Sequence, residues 1–303
     1  MEVKAKKVLI FVLTMLCTGI MIVLIPNHVK AATYEDDAYE PNDSFESATD
    51  YNSMGLLTGN AYNEGYRYNG AITSSTDKDY YYVNFTQGII YFIDLKNLNE
   101  NLNYRLELFD ESYNKLLDSK NMYQEGLYQR YFYYKCPKSG KYYLRVSLYN
   151  DEPDGNYYFL YADEANRVVT NTRSTNCQIK LFGSFIQKQV FDGTSLNYYP
   201  KYAKIISMKL GNEVSNGICD SIDKRITSAA GRTYTAFGSN MSISGVSGQY
   251  ISQKWNIEGK CSCRGSSSST PLWHPSITVR YSFIAGPLPD NSIRSFDEVT
   301  IYD

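Results

Sequence analysis

Residues 34–163 read as a succession of short β-strands, and this pattern constrains the fold more than any other feature. The chain holds 30 tyrosines, and runs such as Tyr80-Tyr81-Tyr82-Val83-Asn84-Phe85 combine aromatic and β-branched residues that suit a pleated, half-buried surface. Strands are predicted over 68–73, 79–85, 88–96, 103–110, 113–119, 127–136, 141–149 and 156–162. Polar turn clusters separate them, among them Gln87-Gly88, Lys138-Ser139-Gly140 and Pro153-Asp154-Gly155. Short strands at regular spacing specify a mostly antiparallel sandwich or barrel.

The texture changes after this region. Residues 164–175 carry no aromatic residue and are expected to be a linker. Residues 176–303 are poorer in tyrosine and read as a second all-β domain of unassigned family, a sandwich by expectation. Its predicted strands are 176–183, 202–210, 232–237, 241–245, 249–257 and 276–284, with a closing strand over 299–302 and a flexible serine loop over 266–270. A length of 303 residues accommodates two domains. No 3.6-period apolar pattern follows residue 32, so helix is expected only as a single turn near Ser44 to Thr49. The fold class is all-β.

The first thirty residues are a targeting segment. Lys4, Lys6 and Lys7 precede an apolar run from Val8 to Ile25, Pro26 ends it, and Val29-Lys30-Ala31 offers a cleavage site after residue 31. The expected location is secreted and extracellular, as in a Gram-positive bacterium, or membrane-anchored if the segment stays attached. The formal net charge is −2, and loss of the lysine-rich leader makes the remainder more acidic. Neither value favours a nucleic-acid or anionic-membrane partner.

The segment Asp36-Asp37-Ala38-Tyr39-Glu40-Pro41-Asn42-Asp43-Ser44 concentrates acids and an amide around a proline that fixes φ and opposes helix. Calcium takes six to eight hard oxygens from carboxylates, amide carbonyls and backbone. One short loop supplies only some of these. Thr76-Asp77-Lys78-Asp79-Tyr80 supplies a partner set, because in a turn Asp77 and Asp79 converge and a cation relieves their repulsion. The competing reading is a solvated acidic arm.

These motifs carry a resemblance. Tyr-Glu-Pro-Asn-Asp-Ser (39–44), Gly-Ala-Ile (70–72) with Asp-Lys-Asp-Tyr-Tyr (77–81), Leu-Glu-Leu-Phe-Asp (106–110) and Gly-Lys-Tyr-Tyr-Leu-Arg-Val (140–146) occur in the order found in the bacterial pre-peptidase C-terminal domain. Residues 34–163 are similar to that family, which includes the collagen-binding domains of clostridial collagenases. The resemblance implies a jelly-roll-like β-sandwich with calcium (Ca2+) held between the N-terminal segment and the Asp-x-Asp turn. It carries the ligand role to Glu40, Asn42, Asp43 and Asp79, with Asp77 adjacent. Ala38 stands where the family has a further acid, with Asp36 or Asp37 as replacement, and this leaves one or two ions open. The collagen-binding members use aromatic residues on one sheet face; here Tyr142 and Tyr143 open the matching strand, followed by Arg145, Ser147 and Leu148.

No catalytic constellation is recognisable. The chain has two histidines, His28 in the leader and His274 in Trp273-His274-Pro275, and lacks His-Glu-x-x-His and Gly-x-Ser-x-Gly. A nucleophilic set of Cys219, His274 and Asp220 is the weak alternative. Cys261-Ser262-Cys263 with Cys177, Cys219 and His274 is an irregular zinc pattern, and a disulfide from Cys219 to Cys261 or Cys263 or free buried thiols are the other readings. Trp255 and Trp273 are either core residues or platforms for a sugar. The sequence therefore describes a secreted, non-catalytic, calcium-binding module whose partner is an extracellular protein, collagen-like or other, or a glycan. The alternative is an enzyme of unrecognised type in the second half, or an accessory subunit of a secreted hydrolase.

Overall fold

Alternation of apolar and polar residues sets the architecture seen in the computed structural model. It describes residues 39–56, 66–67, 70–97, 104–121, 129–150, 157–194, 199–264, 268–287 and 292–303. The leader, Asp36, Asp37, Ala38, the Pro153-Asp154-Gly155 turn and Ser266 and Ser267 lie outside the described residues. No helix among the described residues is long and apolar enough to cross a membrane.

The first sandwich contains β1 (Thr49–Asp50), β2 (Asp79–Phe85), β3 (Ile90–Asn97), β4 (Tyr104–Phe109), β5 (Lys115–Asp118), β6 (Gln129–Lys135), β7 (Gly140–Leu148) and β8 (Tyr158–Glu164). One sheet runs β1-β2-β7-β4-β5, and the facing sheet contains β6-β3-β8. Every second residue points inward, as a pleated strand requires. Tyr81, Val83 and Phe85 of β2 and Leu144 and Val146 of β7 thus share one buried cluster with Ile93 and Leu95 of β3 and Phe132 and Tyr134 of β6. Seven of the eight predicted strands in this half appear within two residues of their expected bounds, and the described part of 68–73 is not strand. Helix among the described residues is confined to 3-10 turns at Tyr51–Ser53, Ser119–Asn121 and Phe296–Glu298, and the first of these lies beyond the expected position at Ser44 to Thr49.

The second half contains β9 (Asn166–Ser174), β10 (Ile179–Lys180), β11 (Lys188–Asp192), β12 (Lys204–Leu210), β13 (Val214–Ser215), β14 (Cys219–Thr227), β15 (Thr233–Ala236), β16 (Lys254–Arg264), β17 (Leu272–Trp273), β18 (Ser276–Ala285) and β19 (Ser292–Ile293). One sheet runs β11-β16-β14-β15, a second gathers β9, β12 and β19 on β18, and a third is the small β10-β17-β13 sheet. Trp255 and Trp273 are fully buried, and each indole N–H donates to a backbone carbonyl, of Ile251 at 3.1 Å and of Gly211 at 2.8 Å. They are core residues, and the sugar-platform alternative falls.

Two findings change the expected organisation. Residues 164–175, expected as a linker, hold β9, which pairs along its whole length with β18. A single buried residue, Ala165, separates β8 from β9. Its N–H donates to Ile90 O at 2.8 Å and its carbonyl accepts from Ala285 N at 2.7 Å, so the junction is pinned from both sides. The segment lacks aromatics because alternate β9 residues face solvent and the others are only half-buried. Second, β20 (Ile301–Tyr302) returns to the first sandwich and pairs in parallel with Tyr133 and Tyr134 of β6. From Tyr39 to Asp303 the described residues belong to one compact unit.

Candidate metal centre

Glu40, Asn42, Asp77 and Asp79 meet where the chain enters the first sandwich. Asn42 is tied to its neighbours through the backbone: its N–H donates to Glu40 Oε2 at 2.9 Å and its carbonyl accepts from Tyr80 N at 2.9 Å. The second bond lays the arm against the start of β2 and carries the arm's polar groups to Asp79, the first residue of that strand. The Glu40–Pro41 peptide is cis. Asp77 sits in the turn before β2, where its Oδ2 accepts from Thr73 N–H and Thr73 Oγ1 at 2.5 and 2.8 Å.

One ligand atom from each of Glu40, Asp77 and Asp79 lies within 4.8 Å of the others. Asn42 and Asp79 are 0% exposed and Asp77 is 8% exposed. Neither polar atom of the Asn42 amide, nor Asp77 Oδ1, has a hydrogen-bond partner among the described residues. Buried polar atoms without partners are rare, and leaving one unsatisfied costs about 1–3 kcal/mol, more for a charged group. A hard cation there would satisfy Asn42 Oδ1 and Asp77 Oδ1 and offset the convergence of three carboxylates, though not the Asn42 amide nitrogen. All the donors are oxygen, the set that calcium or magnesium takes and that zinc and copper do not favour.

Behind this set stands a layer that the sequence does not announce. Tyr158, from β8 on the opposite sheet, donates its hydroxyl to Asp79 Oδ2, and Tyr81 Oη lies 2.5 Å from Tyr158 Oη. Burial, with the Asp79 charge second, holds the Tyr158 phenol well above its ordinary range, so it stays a donor. Gly70 closes this layer, since a Cβ there would fall 2.0 Å from Tyr158 Oη and 2.5 Å from Asp79 Oδ2. Tyr158 lies 79 residues from Asp79 and is brought to it by the sheet packing, for which no local motif exists. Asp43 stands outside the cluster. It is exposed, and its Oδ1 accepts from Lys78 N at 3.4 Å across the mouth of the turn.

The remaining chemistry-bearing residues disperse. Cys219 is bonded to Cys261, which removes the thiol that the Cys219, His274 and Asp220 set required and also ends the zinc reading. Cys136 and Cys177 are buried free thiols. His274 Nε2 lies 2.7 Å from Ser215 Oγ across the small sheet, and no carboxylate among the described residues bonds its other ring nitrogen.

No family model matches the sequence, and no curated protein does. Solved structures that resemble the chain do so weakly. A protein of Eubacterium rectale inferred to be secreted is 16% identical, with 85% of this chain and 83% of that chain covered and a TM-score of 0.32. The tandem CBM51 modules of a family 98 glycoside hydrolase from Streptococcus pneumoniae are 10% identical, with 74% and 87% covered and a TM-score of 0.24. The tandem CBM22 modules of Paenibacillus barcinonensis Xyn10C are 10% identical, with 69% and 85% covered and a TM-score of 0.22.

Proposed function

We propose that this chain is an exported, non-catalytic β-sandwich protein that binds calcium through Glu40, Asn42, Asp77 and Asp79, and that it serves as a binding module for an extracellular glycan or protein. The observation that carries the calcium reading is the burial of Asn42 and Asp77 with unpartnered polar atoms beside two further carboxylates. The ordered motifs that resemble the pre-peptidase C-terminal domain support it. Export is supported by the leader and by the Cys219–Cys261 bond, which belongs to an oxidising compartment.

In this reading calcium is a clasp between the chain's arm and the turn before β2. Only the folded chain gathers the ligands, so the ion stabilises it by mass action. Calcium at a hundred times its dissociation constant adds about 2.7 kcal/mol. The arm then stays seated, with Phe45 packed on the outer face of the first sheet.

Thermal unfolding of the full chain after chelation and after calcium addition tests this reading. Calcium should raise the midpoint by several degrees, and Asn42→Ala and Asp77→Asn should each remove most of the rise. An unchanged wild-type midpoint would overturn the clasp. Asp43→Asn should keep the rise, because Asp43 lies outside the cluster.

A further inference from the structure

A cleft of about 240 Å3 opens at the far end of the first sandwich from the acidic cluster. Asp79 pairs with Val146 and Phe85 with Gly140, so the length of β2, about 20 Å, separates the two places. One wall is the turn after β4, residues 110–114, and the other is the connection from β6 to β7, residues 136–140.

Both walls are fixed from within. Asp110 Oδ1 accepts from the N–H groups of Ser112 and Asn114, each at 2.9 Å, and its Oδ2 accepts from Asn114 Nδ2 at 3.0 Å. Tyr113 completes the turn in the left-handed region at φ 64°. On the other wall the Lys138 carbonyl accepts from Tyr142 Oη at 2.8 Å and Cys136 Sγ at 3.0 Å, and Ser139 Oγ accepts from Gln87 N at 2.8 Å. The backbone of both walls is thus set before a ligand arrives.

The side chains left over are Glu111, Ser112 and Lys138; a second ammonium in the lining, Lys141, stands with its Nζ 4.4 Å from the centroid of the Tyr82 ring. The first three are exposed and make no side-chain hydrogen bond or ion pair among the described residues. Leu116, 39% exposed, and the edges of Tyr134 and Tyr142 supply apolar surface between them. An anion in this cleft meets Glu111 and a cation meets Lys138. A neutral ring bearing several hydroxyls satisfies both, since it donates to the carboxylate, accepts from the ammonium and lays its C–H face on Leu116. At about 240 Å3 the cleft falls just below the roughly 300–1,000 Å3 of pockets that enclose drug-sized ligands, a size for a single sugar ring.

We propose that the cleft between residues 110–114 and 136–141 is a subsite for a neutral glycan, with Glu111 and Lys138 as its polar contacts. This rests on the reading of the chain as a binding module and is independent of the calcium clasp. The test uses the calcium-loaded full chain on an array of neutral, sialylated and sulfated glycans, followed by calorimetric titration with lactose, maltose and cellobiose. At least one neutral glycan should bind, and Glu111→Gln and Lys138→Met should each weaken it about tenfold or more while the unfolding midpoint and its calcium response persist. The proposal fails if no neutral glycan binds, if both variants bind as the wild type does, or if only acidic glycans or collagen bind. Failure with the calcium shift intact removes the cleft and leaves the clasp standing.

Discussion

Asp94 and Asp118 are carboxylates of the same sandwich with opposite electrostatics. Asp94 is fully buried on β3, with Tyr66 donating to its Oδ2 and Lys96 close by. Burial pushes its carboxyl up to about 7, against the pull of the Tyr66 hydrogen bond and the Lys96 charge. Asp118 is gripped by the Arg105 guanidinium, with Lys115 and the Lys120 N–H adding to it, and its carboxyl is held well below the usual range. The folded chain therefore binds a proton at Asp94 more tightly than the unfolded chain, and at Asp118 less tightly. Stability should fall as pH rises from about 4 to about 7 through Asp94, and Asp94→Asn should remove that slope. Below about pH 4 the Asp118 contribution is lost as pH falls, and Asp118→Asn should flatten the acid limb. Urea unfolding across pH 2–8 checks both signs. At this scale the sequence reveals what is local. Glu40, Asn42, Asp77 and Asp79 stand in two short motifs and are legible, whereas Thr73 and Tyr158 reach the same acids through a turn and through sheet packing that no motif encodes.

Among the elements, the strands legible in advance are those with aromatic or β-branched runs, such as β2, β3 and β7. Two that were missed, β9 and β14, are polar on alternate residues. Cys219–Thr227 has only Ile222 and Ile226 as strongly apolar anchors, and its neighbours on both sides, β16 and β15, pair with it regardless. The predicted 241–245 strand is reduced to a bridge between Ser242 and Lys209, flanked by hydrogen bonds from Leu210 N to Met241 O and from Ile243 N to Met208 O, each 2.9 Å. The arm before β1 shows how a segment without regular structure is held. Phe45 lies against Tyr80, Phe109, Tyr113 and Tyr143 with centroids 4.7, 5.2, 4.2 and 5.3 Å away. Tyr143 is thereby covered, and Tyr142 faces the core, so the strand that resembles a collagen-contact strand shows no open aromatic row. Phe45→Ala should cost about 2 kcal/mol, below the ~3–5 kcal/mol of a fully buried ring, and should expose Tyr80 and Tyr143 to solvent. Denaturant unfolding and tyrosine fluorescence quenching measure the two effects. A loss under about 0.5 kcal/mol would mean the arm is not seated.

For the molecule as a whole, the two halves share structure. Phe92, Tyr133 and Tyr161 of the first sandwich belong to the same buried cluster as Ile277, Val279 and Tyr281 of β18, and Tyr133 Oη donates to Ala285 O at 2.8 Å. The sequence indicates two all-β halves, which the strands bear out, but the composition change at 164–175 hides the pinned junction and β20 is too short to declare its partner. Calorimetry should show a single unfolding transition, which calcium shifts as a unit. Two separated transitions would mean that the shared cluster and the Ala165 junction contribute little. The return of β20 to β6 also fixes how the molecule carries load. Tension applied between Tyr39 and Tyr302 enters and leaves through the first sandwich, by way of the arm on β2 and by way of β20. The second half lies outside that line, so a chain pulled between these two residues keeps it unstressed until the arm or β20 lets go.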